Sequence, residues 1–162
     1  MAHSFLKTTS DNPDFHLLVA QLNAHFAVLN GEKDDFYAQF NTLDAIKHVI
    51  LVYDDQTPIA CGAIKSYSEN IMEIKRMYVV PEQRGRGVAS SVLTHLENWA
   101  KELGYAETVL ETLKNQTHVI NMYAQNGYQT IPNYGQYAGV ESSICMGKKI
   151  QTPYFNIKTT FA

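Results

Sequence analysis

From Met77 to Ala89 the chain reads Met-Tyr-Val-Val-Pro-Glu-Gln-Arg-Gly-Arg-Gly-Val-Ala. An apolar run stops at Pro81, a turn rich in glycine and arginine follows, and an amphipathic segment begins at Val88. Glycines let backbone N–H groups turn inward and approach a ligand closely. A helix start adds unpaired N–H donors and the positive end of a dipole. Arg84 and Arg86 add full charges, so together with Gly85 and Gly87 they make a pyrophosphate cradle; the plainer reading is a tight strand-to-helix turn with two surface arginines. The Gly-Lys-Ser/Thr ending of a P-loop is absent. For a nicotinamide-dinucleotide site, Gly85 and Gly87 fit, Ser90 holds the place of the third glycine, and Glu111 ends the next expected strand where a ribose-binding acid would sit. That loop would begin late, after Pro81 to Arg84, and two arginines would crowd it, so the dinucleotide enzyme stands as a lesser alternative.

Other chemistry is thinner. None of the 6 histidines makes a metal pattern: His16 and His25 fall on opposite faces of one helix, His95 and His118 on separate helices, and neither His-Glu-x-x-His nor Cys-x-x-Cys occurs. No metal is expected. Cys61 and Cys145 lie in apolar, strand-like contexts and read as buried reduced thiols, too few for a disulfide scaffold. The 162 residues are 45% hydrophobic and 18% charged, with 13 Lys+Arg against 16 Asp+Glu, which excludes a disordered or fibrous chain and gives no basic excess for nucleic acid. No apolar run reaches the roughly 20 residues of a membrane helix. Met1-Ala2-His3-Ser4 lacks the pattern of a signal peptide, so a cytoplasmic protein is expected. Eight acids (Asp11, Asp14, Glu32, Asp34, Asp35, Asp44, Asp54, Asp55) lie between Ser10 and Gln56 against Lys33 and Lys47, and the balance reverses from Lys75 to Arg86. The first region favours cations and the second anions.

The elements that must position these groups follow from periodicity. Ser4–Thr9 reads as a strand. Asn12-Pro13 starts a helix whose stripe is Phe15, Leu18, Leu22, Phe26 and Leu29, ended by Gly31. Lys33–Asn41, with Phe36, Tyr37 and Phe40, reads as a second short helix. Ile46–Tyr53, Pro58–Tyr67 and Ile71–Val80 are strands joined by tight turns. A helix with Val88, Val92, Leu96, Trp99 and Leu103 on one face closes at Gly104. Ala106–Thr112 is a strand, Gln116–Asn126 a helix, Tyr128–Ile131 a short extended piece and Glu141–Ile150 the last core strand. A single mixed α/β domain over residues 1–150 is expected, antiparallel early, with a parallel crossover after Val80. In the tail, residues 151–162, Phe155, Ile157, Thr159 and Phe161 alternate with Asn156, Lys158 and Thr160. That pattern suits an extra strand added to a sheet edge of the same chain or of a partner subunit, so a homodimer is compatible.

At Arg84, Gly87 and Ala89 the chain resembles the GNAT superfamily of acetyl-CoA-dependent N-acetyltransferases, whose signature is Arg or Gln, two residues, Gly, one residue, then Gly or Ala. The resemblance continues through Leu110-Glu111-Thr112 and Ile120 to Tyr128, where a Tyr lies four residues before Gly-Tyr. Asn133-Tyr134-Gly135-Gln136-Tyr137 with Ser142–Lys148 resembles a common bacterial subgroup of small acetyltransferases. The motifs cover about half the chain, Glu73 to Lys149. The resemblance implies the acyl-CoA N-acyltransferase fold: a central, mostly antiparallel sheet flanked by helices, opening in a V-shaped splay after the strand that ends near Val80. One departure stands out: many members carry Asn seven residues before the second-block Tyr, and here that position is Gln116, beside Asn115.

The family's chemistry then assigns roles. Acetyl-CoA is the implied co-substrate, with its pantetheine arm along the backbone of Met77, Tyr78 and Val79 and its pyrophosphate on Arg84, Gly85, Arg86, Gly87, Val88, Ala89 and Ser90; Asn115 or Gln116 would meet the cofactor arm. A backbone N–H near Val79 would stabilise the oxyanion. An alkylammonium has a pKa near 10.4 and must lose a proton before attack, and Glu73 and Glu111 match positions where members carry a catalytic glutamate. Tyr123 is the candidate acid for the leaving thiolate and would also lie at the cofactor. Tyr134, Tyr137, Phe36 and Tyr37 are candidates for the acceptor side. The expected activity is acetyl transfer to a primary amine of a small molecule or protein, the acidic first third hinting at a cationic amine. A non-catalytic acyl-CoA-binding module is the alternative.

Overall fold

The computed structural model describes residues 3–31 and 46–150. The expected helix at Lys33–Asn41 and the expected tail strand lie outside the described residues. The chain forms two compact units, one from the residues up to Lys65 with Lys75–Leu96, the other from Ser66–Ile74 with the residues from Glu97 onward.

In the first unit, β1 (His3–Thr8) pairs antiparallel with β2 (His48–Asp54), and β2 pairs antiparallel with β3 (Thr57–Ser66) with a register shift at Val52/Tyr53. Helix α1 (Pro13–Asn30) begins as the sequence indicates: the Asn12 side chain accepts the Asp14 N–H at 2.9 Å, and Pro13 occupies the first helical turn, where its missing N–H costs nothing. Phe15, Leu18, Val19 and Leu22 of α1 pack with Val49, Leu51, Cys61, Ala63 and Tyr78 in one buried cluster. Each Val, Leu or Phe side chain buried here is worth about 1.5–3 kcal/mol.

Helix α2 (Val88–Glu102) buries Val88, Val92, Leu93, Leu96 and Ala100. This corrects the expected stripe: Trp99 is half-buried, and Leu103, just past the helix end, is 42% exposed. Gly62 of β3 is what lets α2 lie close. A Cβ there would come within 2.7 Å of Met77 Sδ, 2.7 Å of Val92 Cγ1 and 2.9 Å of Leu96 Cδ1.

Strand β4 (Ile71–Val79) starts in the second unit and ends in the first. Its first residues pair in parallel with β5 (Glu107–Leu113), Ile71 opposite Glu107 and Glu73 opposite Val109. This is the expected crossover. β7 (Ser143–Lys149) lies antiparallel to β5 over seven residue pairs, and the short β6 (Gln129–Ile131) pairs antiparallel with β7. Between β5 and β6 runs α3 (Thr117–Gln125). The strand order is β1-β2-β3-β4-β5-β7-β6, a mixed, mostly antiparallel seven-stranded sheet. Within β4, Arg76 takes φ +61, a left-handed conformation rare in a non-glycine residue. It falls at Lys75-Arg76, where two basic residues interrupt the apolar run of β4.

Candidate active site

In the first unit, the chain leaves β4 at Val79, makes a short 3₁₀ turn over Pro81–Gln83, and enters α2 at Val88. Gly85 and Gly87 both hold φ +78, which glycine adopts at no steric cost. A Cβ built on either would meet no protein atom within 4 Å, so the backbone faces open space on that side. The Ser91 N–H bonds to the Gly87 carbonyl at 3.1 Å. The N–H groups of Val88, Ala89 and Ser90 therefore precede the first intrahelical bond of α2 and form its donor end. Arg86 is exposed beside them. Arg84 does more than add charge: its Nε–H donates to the Val79 carbonyl at 2.8 Å, and its guanidinium lies 5.6 Å from the Tyr78 ring centroid. It braces the loop onto the end of β4 through one of five donors. Open glycine backbone, a helix start and two guanidinium groups fit a pyrophosphate.

The second unit gathers the carboxylates. Glu73, buried in β4, accepts the Tyr134 O–H at 2.6 Å, and Glu111 of β5 accepts the Ser143 O–H at 2.6 Å. The Tyr134 ring meets Tyr67 edge-on at 4.8 Å and Tyr137 at 5.9 Å. Burial, and then the Glu73 charge, push the Tyr134 phenol far above its ordinary pKa; burial followed by the Glu111 and Glu73 charges does the same to Tyr137. Both phenols therefore stay protonated, and Tyr134 donates to Glu73. Asn133 closes this loop on itself, with its amide nitrogen 3.1 Å from each of the Tyr137, Val140 and Ser143 carbonyls. The sequence singled out Tyr134 and Tyr137 only as acceptor-side aromatics. Asn133 and Ser143 lay inside the quoted subgroup motif, but no role was read for either.

Tyr123 lies in a different cluster, at the end of α3. It is 5% exposed, and burial raises its pKa above the usual phenol value, so it holds its proton at neutral pH. Here the second-block spacing acquires a physical cause. The Tyr128 N–H bonds to the Tyr123 carbonyl at 3.1 Å and the Gly127 N–H to that of Ala124 at 3.0 Å, with Gly127 at φ +94. This is a Schellman cap, which demands a glycine and brings the residue after it onto the residue five before it. The Tyr123 and Tyr128 rings meet at 5.7 Å. At the other end of α3, Gln116 is half-buried at the cap position and Asn115 is exposed. Thus Met77, Tyr78, Val79 and the Arg84–Ser90 segment lie together in the first unit, while Glu73, Glu111 and Tyr123 belong to the second. β4 carries both Glu73 and Met77–Val79 on one strand.

Residues 15–128 match the acetyltransferase (GNAT) family model. The chain belongs to the GNAT family. It is 26% identical to an uncharacterized N-acetyltransferase of Schizosaccharomyces pombe over 137 residues, covering 81% of this chain and 84% of that protein. Among solved structures it resembles a Klebsiella pneumoniae protein assigned as an acyl-CoA N-acyltransferase, with TM-score 0.76, 25% identity, and coverage of 92% of this chain and 98% of that one. The fold is also that of the Thermoplasma acidophilum PaiA N-acetyltransferase, solved in complex with coenzyme A, with TM-score 0.70, 17% identity, and coverage of 92% and 99%. This GNAT protein is an acetyl-CoA-dependent N-acetyltransferase, and acetyl-CoA is its co-substrate. The dinucleotide and non-catalytic readings are set aside. Among the described residues, no helix is long and apolar enough to cross a membrane.

Proposed function

We propose that this acetyltransferase acetylates a primary, cationic amine by direct attack in a ternary complex, with Glu73 as base and Tyr123 as acid. The carrying observation is the Glu73–Tyr134 contact at 2.6 Å beside Tyr137 and Tyr67. A buried carboxylate walled by tyrosine rings attracts an ammonium both by charge and by the ring faces. Glu111 adds a second negative charge, which orients the ammonium. The acceptor is a small molecule or an exposed protein amino group.

The amine gives one proton to Glu73, and its nitrogen then attacks the thioester carbon. A backbone N–H near Val79 stabilises the oxyanion. As the C–S bond breaks, Tyr123 protonates the sulfur and recovers a proton from the amine nitrogen, leaving an amide, a free thiol and one proton passed from Glu73 to solvent. Arg84, Arg86, the Gly85–Gly87 backbone and the start of α2 hold the pyrophosphate, and Asn115 or Gln116 meets the cofactor arm.

A thiol-release assay over monoamines, diamines, polyamines, amino acids and peptides identifies the acceptor. With the best acceptor, Glu73→Gln is expected to lower kcat/KM by about 10²–10⁴-fold, while Glu111→Gln raises KM for the amine. Parent-like turnover in Glu73→Gln removes Glu73 as base, and a preference for anionic acceptors removes the cationic reading.

A further inference from the structure

The second unit contains a buried polar chain that these proton transfers do not use. Glu97 of α2 is 7% exposed, and one carboxylate oxygen accepts from Lys148 Nζ at 2.9 Å while the other accepts the Tyr128 O–H at 2.9 Å. A carboxylate only accepts, and a phenol has one proton to give. Thr108, whose hydroxyl lies 2.8 Å from the Tyr128 oxygen, must therefore be the donor in that contact. Thr108 and Lys148 stand directly opposite each other on β5 and β7, so their side chains rise from the same face. The Lys148 ammonium also sits 5.7 Å from the Tyr128 ring centroid.

Tyr128 is thus held at its oxygen by two hydrogen bonds, at its ring by a cation, and at its backbone by the cap of α3. Its ring bears on Tyr123 at 5.7 Å with an interplanar angle of 67°. A buried ion pair adds little stability over well-packed apolar residues. A fully satisfied buried network does, however, rigidify what it touches.

We propose that Tyr128 is a positioning residue: the Thr108–Tyr128–Glu97–Lys148 chain locks its ring against Tyr123 and so sets where the Tyr123 hydroxyl points. The inference rests on the reading of Tyr123 as the acid. Misplacing a reacting group by about 1 Å costs up to about a hundredfold in rate, so a loosened ring is felt in turnover. Binding of acetyl-CoA through the Gly85–Gly87 loop, none of whose residues belongs to this chain of contacts, is not.

The test places Tyr128→Phe, and separately Thr108→Val, in the parent and in Tyr123→Phe. Thr108→Val keeps shape and removes only one bond to the phenol, which covers the case where Tyr128→Phe does not fold. Measured are kcat, KM for acetyl-CoA, and Tm, with kinetics at a temperature where every variant is folded. In the parent background each substitution is expected to lower kcat about threefold to thirtyfold, as coupled neighbours do, with KM for acetyl-CoA within about twofold. In Tyr123→Phe the same substitutions should change kcat by less than about twofold. Equal loss in both backgrounds, or a lowered Tm with kcat intact, overturns the positioning role alone. If Tyr123→Phe by itself turns over like the parent, the acid reading fails and the positioning role falls with it.

Discussion

Gly62→Ala is a small change with a calculable effect. Gly62 does not need its conformational freedom for a positive φ, so alanine fits the backbone and, by stiffening the unfolded chain, would on its own stabilise by about 0.4–1 kcal/mol. The opposing effect is steric. The new Cβ would lie 2.7 Å from Met77 Sδ, 2.7 Å from Val92 Cγ1 and 2.9 Å from Leu96 Cδ1, against about 3.5–4.0 Å for favourable contact between carbons. Met77 can swing its thioether and Leu96 can adjust, but a helical valine has essentially one χ1 rotamer. Val92 is wholly buried, so the helix itself must withdraw. Overpacking of this kind costs about 1–3 kcal/mol, leaving a net loss of roughly 0–2.5 kcal/mol once the backbone gain is subtracted. At about 2–4 °C per kcal/mol for a domain of this size, Tm falls by up to about 10 °C. The same withdrawal moves Met77 and the start of α2, proposed to lie along the pantetheine arm and at the pyrophosphate. Acetyl-CoA affinity should therefore fall as well. Thermal unfolding with and without acetyl-CoA measures both effects, and a Tm above the parent's with an unchanged acetyl-CoA shift refutes the reasoning.

Gly87→Val puts a β-branched residue at φ +78 and a side chain into the open space over the cradle; the stabilisation that acetyl-CoA gives the parent in thermal unfolding should vanish, and a parent-like shift would refute the phosphate assignment. Burial raises the Cys61 thiol to about 12, against the partial opposing effect of the Arg76 charge. The native thiol therefore keeps its proton where the unfolded one, near 8.5, has lost it. Stability from this group is full below about pH 8.5 and is lost as pH rises through about 12, at no more than about 1.4 kcal/mol per pH unit. Urea unfolding at pH 8 and pH 10.5 on the parent and Cys61→Ala should show a steeper alkaline loss in the parent, and equal losses would refute it.

Much of the fold is legible because its signals are local. Asn12-Pro13 starts α1, Gly104 and Gly127 follow α2 and α3, and Pro81 stops β4, each through backbone chemistry confined to a few residues. The faces of α2 were harder to read: Leu93 and Ala100 are buried while Leu103 is not, because the helix ends before Leu103 and its burial depends on what surrounds it. The glycine turn between β4 and α2 was readable from spacing, and so was the glycine cap that joins Tyr123 to Tyr128. The partners of Glu73 and Glu111 were not, since Tyr134 lies 61 residues from Glu73 and Ser143 lies 32 from Glu111, and no periodicity reports such pairings. The acidic first third proved partly structural: Asp14 accepts the Tyr53 hydroxyl at 2.6 Å. The hint of a cationic acceptor now rests on Glu73 and Glu111.

The strand order β5-β7-β6 has a consequence for synthesis on the ribosome. The last described strand is inserted between two strands made before it, so β5 and β6 have no shared partner until Ser143–Lys149 emerges. Until then the β7-facing edge of β5 stays open, and Glu97 lacks Lys148, its cationic partner. A nascent chain stalled before residue 143 would hold its β2–β3 hairpin early, as those contacts are short in sequence. It would also present an unpaired edge of β5 to chaperones or to other nascent chains.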